Sequence, residues 1–211
     1  MRRVSFIVAA LLAIGAASAE AQTPVTGPYA EFIVGGAGSG ALLGGEVGLS
    51  RSSWDFFFEF GRMLNTKTSE MEDAANHIAT NFLGTGGRVV TFETRQPINY
   101  FDVGARYKFP VSGRRMQPYA GLGIGGAKVS RNTTFAVAGT DITDQLAAMG
   151  VLLGGDLSGS ENAALFMLTG GAELALRGRI FADLSYRYGR VFITGQGINT
   201  NRFQFGIGWR F

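Results

Sequence analysis

The final ten residues, "RFQFGIGWRF", place a large apolar side chain at every second position from Phe203 to Phe211. Neighbouring side chains of a β-strand point to opposite faces, so this spacing predicts a strand with one apolar face and one polar face. The polar face would carry Arg202, Gln204 and Arg210 together with two glycines. Such a strand requires a fold that offers a different environment on each side of a single sheet.

The same period of two runs through most of the chain and predicts an all-β fold. In "WDFFFEFGRML", for example, Trp54, Phe56 and Phe58 share one face, whereas Asp55 and Glu59 share the other. We predict eight strands, at about 28–37, 41–50, 54–64, 98–109, 118–130, 164–177, 179–192 and 201–211.

Short connections such as "RSS" and "RGR" alternate with two long segments, at about 65–97 and 131–163. Each long segment also predicts a short helix. In the first, Ser69-x-x-Glu72 forms a capping box, followed by apolar residues at helical spacing. In the second, the helical spacing is carried by Ile142, Leu146, Met149 and Leu153.

Two kinds of barrel fit the alternation: a soluble barrel with an apolar interior, and a membrane barrel with the opposite polarity. Glycine favours the membrane barrel, because it accompanies the charged faces, as Gly104 accompanies Asp102. A narrow eight-stranded interior needs small side chains, whereas a surface in water does not. Short turns at one end and long loops at the other are typical of outer-membrane barrels. We therefore predict an eight-stranded antiparallel up-and-down transmembrane β-barrel with two long extracellular loops.

The first 21 residues predict a cleaved signal peptide. Arg2 and Arg3 precede an apolar run that is short for a membrane span, and small residues follow it. We expect cleavage after Ala19 or Ala21, which leaves residues 22–211 as the barrel domain in the outer membrane.

Composition excludes several classes of function. The chain has no Cys and one His, which excludes disulfides and multi-histidine metal sites. A formal net charge of +3 is too small to indicate nucleic-acid binding. We predict no catalytic, cofactor-binding or metal-binding residues, and a monomeric protein.

In a membrane barrel the charged faces line the lumen, where charges need partners of opposite sign. Seven acids and six bases share the inward parity, and we predict that they form a lumen charge network: Glu31, Glu46, Asp55, Glu59, Asp102, Glu173, Asp183, Arg106, Lys108, Arg177, Arg187, Arg202 and Arg210. Phe57, Leu165, Met167 and Phe181 share that parity, so we also predict a blocked lumen without a permanent pore.

Three basic residues break the pattern by falling on the apolar, lipid-facing parity: Arg62, Lys128 and Arg190. Each comes late in a strand predicted to run outwards, which puts it near the top of an apolar band about 25 Å tall. Phosphates of lipopolysaccharide lie at that level, so these residues are candidate lipopolysaccharide contacts. Simple snorkelling of the side chains to the interface explains the pattern equally well.

The chain resembles the eight-stranded outer-membrane β-barrel family, which includes OmpA-type barrels, OmpW-like proteins and opacity-type surface proteins. The segments that carry the resemblance are "FDVGARYKFP", "QPYAGLGIGGA", "ADLSYRYG" and the terminal "FQFGIGWRF". The resemblance implies that the barrel-assembly machinery reads the last strand as a signal, through Phe203, Phe205, Ile207, Trp209 and Phe211. OmpA-type proteins often carry a peptidoglycan-binding domain after the barrel, and no such segment follows Phe211 in this sequence.

The resemblance implies a structural or surface-interaction role, in which long loops meet lipopolysaccharide, host or matrix. The alternative is a narrow, porin-like conduit for small or hydrophobic solutes, as in OmpW-like proteins. A lipid-A-modifying enzyme is a third interpretation, for which His77 is the only candidate base. This interpretation requires Ser69 or Asp73 to fold near His77, and a solvated loop histidine explains the residue better.

Two further motifs suggest ligand binding, of a dinucleotide and of Ca²⁺, but a structural interpretation explains each of them better. "GLGIGG", at 121–126, matches a dinucleotide fingerprint, but β-forming residues follow it where a helix should begin. "GGDLSGSEN", which contains Asp156 and Glu161, offers oxygen ligands for Ca²⁺ without EF-hand spacing, and a plain loop explains it better.

Overall fold

The computed structural model describes residues 26–38, 40–83, 89–111 and 116–211. The predicted signal peptide lies outside these residues and stays a prediction. The elements are β1 (Gly27–Ala37), β2 (Gly40–Arg51), β3 (Trp54–Met63), α1 (Ser69–Ile78), β4 (Val90–Arg95), β5 (Ile98–Lys108), β6 (Met116–Val137), β7 (Thr140–Asp141), β8 (Gly159–Arg177), β9 (Ile180–Ile193) and β10 (Gln196–Arg210). No helix among the described residues is long and apolar enough to cross a membrane.

Eight antiparallel strands close into a ring in the order β1-β2-β3-β5-β6-β8-β9-β10, with β10 paired to β1. This confirms the predicted barrel. One row of directly paired inner-face residues shows the stagger of the ring: Gly27, Ser50, Asp55, Arg106, Gly121, Thr169, Arg187, Arg202 and Ala37. The row leaves β1 at position 27 and returns to it at position 37, a stagger of ten residues. For eight strands, this stagger gives a strand tilt of roughly 40°.

Side chains fill the lumen in two layers. The layer at the loop end is apolar and consists of Ile33, Ala37, Leu42, Met63, Ile98, Tyr100, Ala127, Val129, Leu165, Val191, Ile193 and Ile198. The layer below it holds the buried charges and a small apolar cluster of Tyr29, Phe57, Met167 and Phe181. The four residues predicted to block the lumen are all buried inside the barrel: Phe57, Leu165, Met167 and Phe181.

Outside the ring, the two long loops pack against each other as one unit, which we call the outer lobe (residues 69–79, 90–95 and 132–157). β4 from the first loop pairs with the outer part of β6, and β7 pairs with the same strand. Residues from both loops share a buried core: Met71, Ala75, Ala79, Phe135, Ile142, Leu146 and Leu157. The rings of Phe92 and Phe135 meet at a centroid distance of 6.3 Å.

The structure corrects two predictions in the long loops. The cap of α1 is Thr68 rather than Ser69, and its hydroxyl accepts a hydrogen bond from the Met71 N–H at 3.3 Å. The helix predicted in the second loop is wrong, because β6 and β8 extend into that loop and leave only two 3₁₀ turns, Thr143–Gln145 and Ala147–Met149. Gly150, with a φ of 79°, ends the second turn.

The last hairpin also differs from the prediction. β9 continues to Ile193 and β10 begins at Gln196, so a tight turn replaces the open segment that the sequence predicted. Gly195 adopts a φ of 83°, which a glycine tolerates without strain. Buried Ile193 and Ile198 belong to the apolar lumen layer, and their burial favours the longer strands.

Candidate functional site

Twelve of the thirteen predicted lumen charges are buried in the barrel interior: Glu31, Glu46, Asp55, Glu59, Asp102, Glu173, Asp183, Arg106, Lys108, Arg187, Arg202 and Arg210. The prediction was wrong for Arg177, which is exposed. The pairing of β8 with β9 is irregular between Ala175 and Arg177, and this irregularity breaks the alternation before Arg177 is reached. The described interior therefore holds seven carboxyl groups and five basic groups.

Nine of these residues form a continuous series of ion pairs, the lumen charge chain, in which the sign alternates at every step: Arg210, Glu173, Lys108, Asp55, Arg106, Glu46, Arg187, Glu59 and Arg202. Arg106 lies at its centre, where Nε is 2.9 Å from Asp55 Oδ2 and Nη1 is 3.2 Å from Glu46 Oε1. Alternation reduces the free-energy cost of burying each charge, because each has an opposite charge beside it.

Aromatic residues complete the coordination of the charges. The Tyr29 and Tyr100 hydroxyls donate to Glu46 and Glu59, at 2.7 and 2.6 Å. The guanidinium carbon of Arg202 lies 4.5 Å from the centroid of the Tyr100 ring. Sequence reasoning missed these tyrosines as partners, although Tyr29 and Tyr100 share the inward parity of Glu31 and Asp102.

Three carboxyl groups lie outside the chain of ion pairs: Glu31, Asp102 and Asp183. Asp183 accepts a hydrogen bond from the Tyr119 hydroxyl at 2.9 Å. Both oxygens of Asp102 are buried without a hydrogen-bond donor among the described residues. Glu31 has one such oxygen. These acids account for the excess of carboxyl groups over bases in the lumen.

Glycines on the inner face make room for these large side chains. A methyl group added at Gly206 would overlap the Glu31 carboxyl group, and one added at Gly208 would overlap the Phe181 ring. The glycines on the polar face of "RFQFGIGWRF" are thus explained by close approach, as predicted for a crowded lumen.

On the outer surface, Arg62 and Lys128 lie in one row of directly paired residues that crosses four strands: Arg62, Asn99, Lys128 and Asn162. All four side chains are exposed. Neither Arg62 nor Lys128 forms an ion pair with any described residue.

Arg190, the third predicted contact, lies outside this row, and its side chain has protein partners. Its Nη1 donates to Asn199 Oδ1 at 3.2 Å, and its guanidinium lies 5.9 Å from the Phe192 ring centroid. The structure therefore separates Arg190 from the other two bases.

The predicted assembly residues at the end of the chain are all exposed: Phe203, Phe205, Ile207 and Trp209 on β10, and Phe211 directly after it. At the end of the barrel where Trp209 and Phe211 lie, the rings of Trp54 and Tyr107 pack edge to face with centroids 5.2 Å apart. An exposed aromatic girdle of this kind is typical of a membrane interface.

The remaining candidate motifs have structural explanations. "GLGIGG" lies inside β6, where no helix follows it. Glu161 accepts the Thr194 N–H at 2.7 Å and lies 3.8 Å from Arg131. His77 lies in the last turn of α1, with its Nδ1 2.8 Å from Asn81 Nδ2. Ser69 begins the same helix, and eight residues of helix put it roughly 12 Å away along the axis.

In the outer lobe, the first turn of α1 carries the acids Glu70 and Glu72. The pKa of Glu70 lies below its usual value because its own backbone N–H and the Thr68 hydroxyl donate hydrogen bonds to it. Negative charge at a helix N-terminus also interacts favourably with the helix dipole.

The chain is similar to solved outer-membrane barrels. The crystal structure of Neisserial surface protein A is 14% identical, covers 88% of this chain and 97% of its own, and has a TM-score of 0.55. Ail, the attachment invasion locus protein of Yersinia pestis, is 13% identical over 88% of this chain and 97% of its own, with a TM-score of 0.44. The N-terminal β-barrel domain of Pseudomonas aeruginosa OprF is 15% identical over 89% of this chain and 100% of its own, with a TM-score of 0.45.

A comparison with curated proteins found no match. The sequence profile of the family described as "Outer membrane protein beta-barrel domain" matches residues 6–211. That match and the closed eight-stranded ring lead to one conclusion: the chain belongs to the outer membrane protein β-barrel family.

Proposed function

We propose that the protein is a non-catalytic surface-interaction protein, which holds its outer lobe outside the membrane for contact with a protein of the host surface or matrix. The observation that carries this proposal is the packing of both long loops into one lobe with a buried core of its own. Loops that served only to connect strands would need no shared core.

The surface of the lobe supports a binding role. Met149, the last residue of the second 3₁₀ turn, and Leu152, which follows that turn, are both exposed, Leu152 at 81%. Exposed large apolar side chains on an ordered surface are typical of protein contact sites. Below the lobe, side chains fill the lumen. Other molecules would therefore contact the outer surface of the protein rather than its interior.

The test uses the barrel in lipid nanodiscs and a panel of purified extracellular-matrix and host-surface proteins. We expect the wild type to bind a member of the panel, and Met149→Ser with Leu152→Ser to weaken that binding about tenfold, since buried apolar contacts dominate such interfaces. Val111→Ser is the matched control, because Val111 is an exposed apolar residue at the opposite end of the barrel. Binding that the lobe variant leaves unchanged would contradict the proposal, as would no binding to any member of the panel.

A further inference from the structure

We propose that the outer face of β1, β2, β3, β5 and β6 binds one lipopolysaccharide molecule, whose phosphates contact Arg62 and Lys128 and whose acyl chain lies in a groove over Gly45. This site is separate from the outer lobe and does not depend on the proposed function. Three features of the described surface carry the inference: an unpaired pair of bases, a groove directly beneath one of them, and the level of both in the membrane.

The bases form a regular binding row. Arg62 and Lys128 are two strands apart in the row that also contains Asn99 between them and Asn162 beyond, all exposed. With strands about 4.8 Å apart, the two backbone positions are roughly 10 Å apart. A guanidinium and an ammonium at this spacing, with an amide between them, suit phosphate groups on one headgroup.

The level of the row matches the outer boundary of the apolar band. Arg62 is eight residues beyond Trp54 on β3, which corresponds to a height of about 20 Å. Lys128 lies about 26 Å above Trp54, because the row climbs as it crosses the tilted strands. The apolar band of an outer-membrane barrel is about 25 Å tall, so both bases lie where the phosphates of outer-leaflet lipopolysaccharide are found.

A groove of about 780 Å³ runs down the outer surface beneath Arg62. Its lining includes the apolar side chains of Phe32, Leu43, Val47 and Phe60. Gly45 forms its floor, between its directly paired neighbours Phe32 and Phe60. The groove is open to the lipid and mainly apolar, which suits an acyl chain rather than a polar solute.

The arrangement favours lipopolysaccharide over simple snorkelling. A snorkelling side chain needs only to reach the interface and requires no lipid ligand. Arg190 fits that description, because Asn199 and Phe192 already contact its guanidinium group. Arg62 and Lys128 have no ion-pair partner among the described residues, and they share one row. A lipid that is both phosphorylated and acylated would contact the row and the groove together.

The experiment measures the lipopolysaccharide that remains bound to each barrel after detergent extraction from native outer membranes. The test variants are Arg62→Gln with Lys128→Gln, and Gly45→Leu, whose side chain would contact the Phe60 ring and occupy part of the groove. The controls are Arg190→Gln, at a base with protein partners, and Gly170→Leu, at an exposed outward glycine with space around it. Gel mobility before and after heating checks that each variant is folded.

We expect both test variants to retain about tenfold less lipopolysaccharide than the wild type, and both controls to retain the wild-type amount. If either test variant retained as much lipopolysaccharide as the wild type, the proposal that the bases and the groove form one site would be wrong. A second measurement needs no variant: the wild-type barrel in phospholipid nanodiscs should bind added intact lipopolysaccharide more tightly than the dephosphorylated form. Equal binding to the two forms would overturn the role of the phosphates.

Discussion

Asp55 and Asp102 show how strongly the surroundings of one residue type can differ within one lumen. Both side chains are fully buried. Asp55 contacts Arg106 at 2.9 Å and Lys108 at 2.8 Å. Asp102 has no hydrogen-bond donor among the described residues. Among the described residues, two ion pairs therefore compensate the burial of Asp55, whereas Asp102 has no ion pair.

This difference predicts that the same substitution has a much larger effect on stability at Asp55 than at Asp102. Asp55→Asn should lower the free energy of unfolding by about 3–5 kcal/mol, because it leaves Arg106 and Lys108 with one fewer buried acid. Asp102→Asn should change it by less than about 1 kcal/mol or raise it, because no described ion pair is lost. Urea unfolding in lipid, followed by the fluorescence of the two tryptophans, measures both. Equal losses at the two positions would contradict this account of the lumen.

Among the elements, α1 and β10 have roles that can be tested separately: α1 in the outer lobe and β10 in closing the ring. α1 anchors the outer lobe through Met71 and Ala75, which are buried in the lobe core. β10 closes the ring against β1, and the N–H of Phe211 donates to Pro28 O at 2.9 Å.

For α1, the cap observed in the structure gives a prediction. Thr68→Ala should speed amide hydrogen exchange in residues 69–78 about fivefold, since loss of an N-cap costs about 1 kcal/mol. Ser69→Ala is the control, because the Ser69 side chain is not the cap, and it should have little effect. Global unfolding of the barrel should be unchanged in both. Equal exchange rates in the two variants would show that the Thr68 hydroxyl does not stabilise the helix.

For β10, we propose that the barrel-assembly machinery reads the outward aromatic residues as a signal. Phe211→Ala should then lower the amount of barrel inserted in the outer membrane, while the urea stability of folded barrel changes little, because the Phe211 side chain is exposed. Phe109→Ala removes an exposed aromatic residue at the same end of the barrel and should insert normally. Normal membrane levels of the Phe211 variant would count against the signal.

At the scale of the whole molecule, the ring encloses a filled interior. Eight strands with a stagger of ten residues leave a lumen that side chains can fill. The apolar layer, which includes Ile33 and Ile198, lies across the lumen at the loop end, and the lumen charge chain lies below it. A solute would have to displace both layers to pass.

The filled lumen predicts the outcome of a conductance measurement. Folded protein in planar bilayers should give no steady channel current, with a general porin in the same bilayers as the positive control. A large and stable conductance from the folded monomer would contradict the closed lumen and favour the conduit function.

The ring could be predicted from the sequence, because a period of two establishes which side chains face lipid and which face the lumen. Twelve of the thirteen lumen charges followed from parity alone. The position of Arg177 did not follow, because it depends on an irregular pairing between β8 and β9. The alternation within one strand gives no information about its pairing with a neighbour.

The pairing of the charges could not be predicted from the sequence, because partners such as Arg202 and Glu59 are far apart in sequence and meet across the lumen. The same holds for the row that joins Arg62 to Lys128, since the register between strands fixes it. The outer lobe also depends on contacts between two loops, in which short helical patterns compete with strand extension. Local periodicity decides orientation, whereas partners distant in sequence decide pairing.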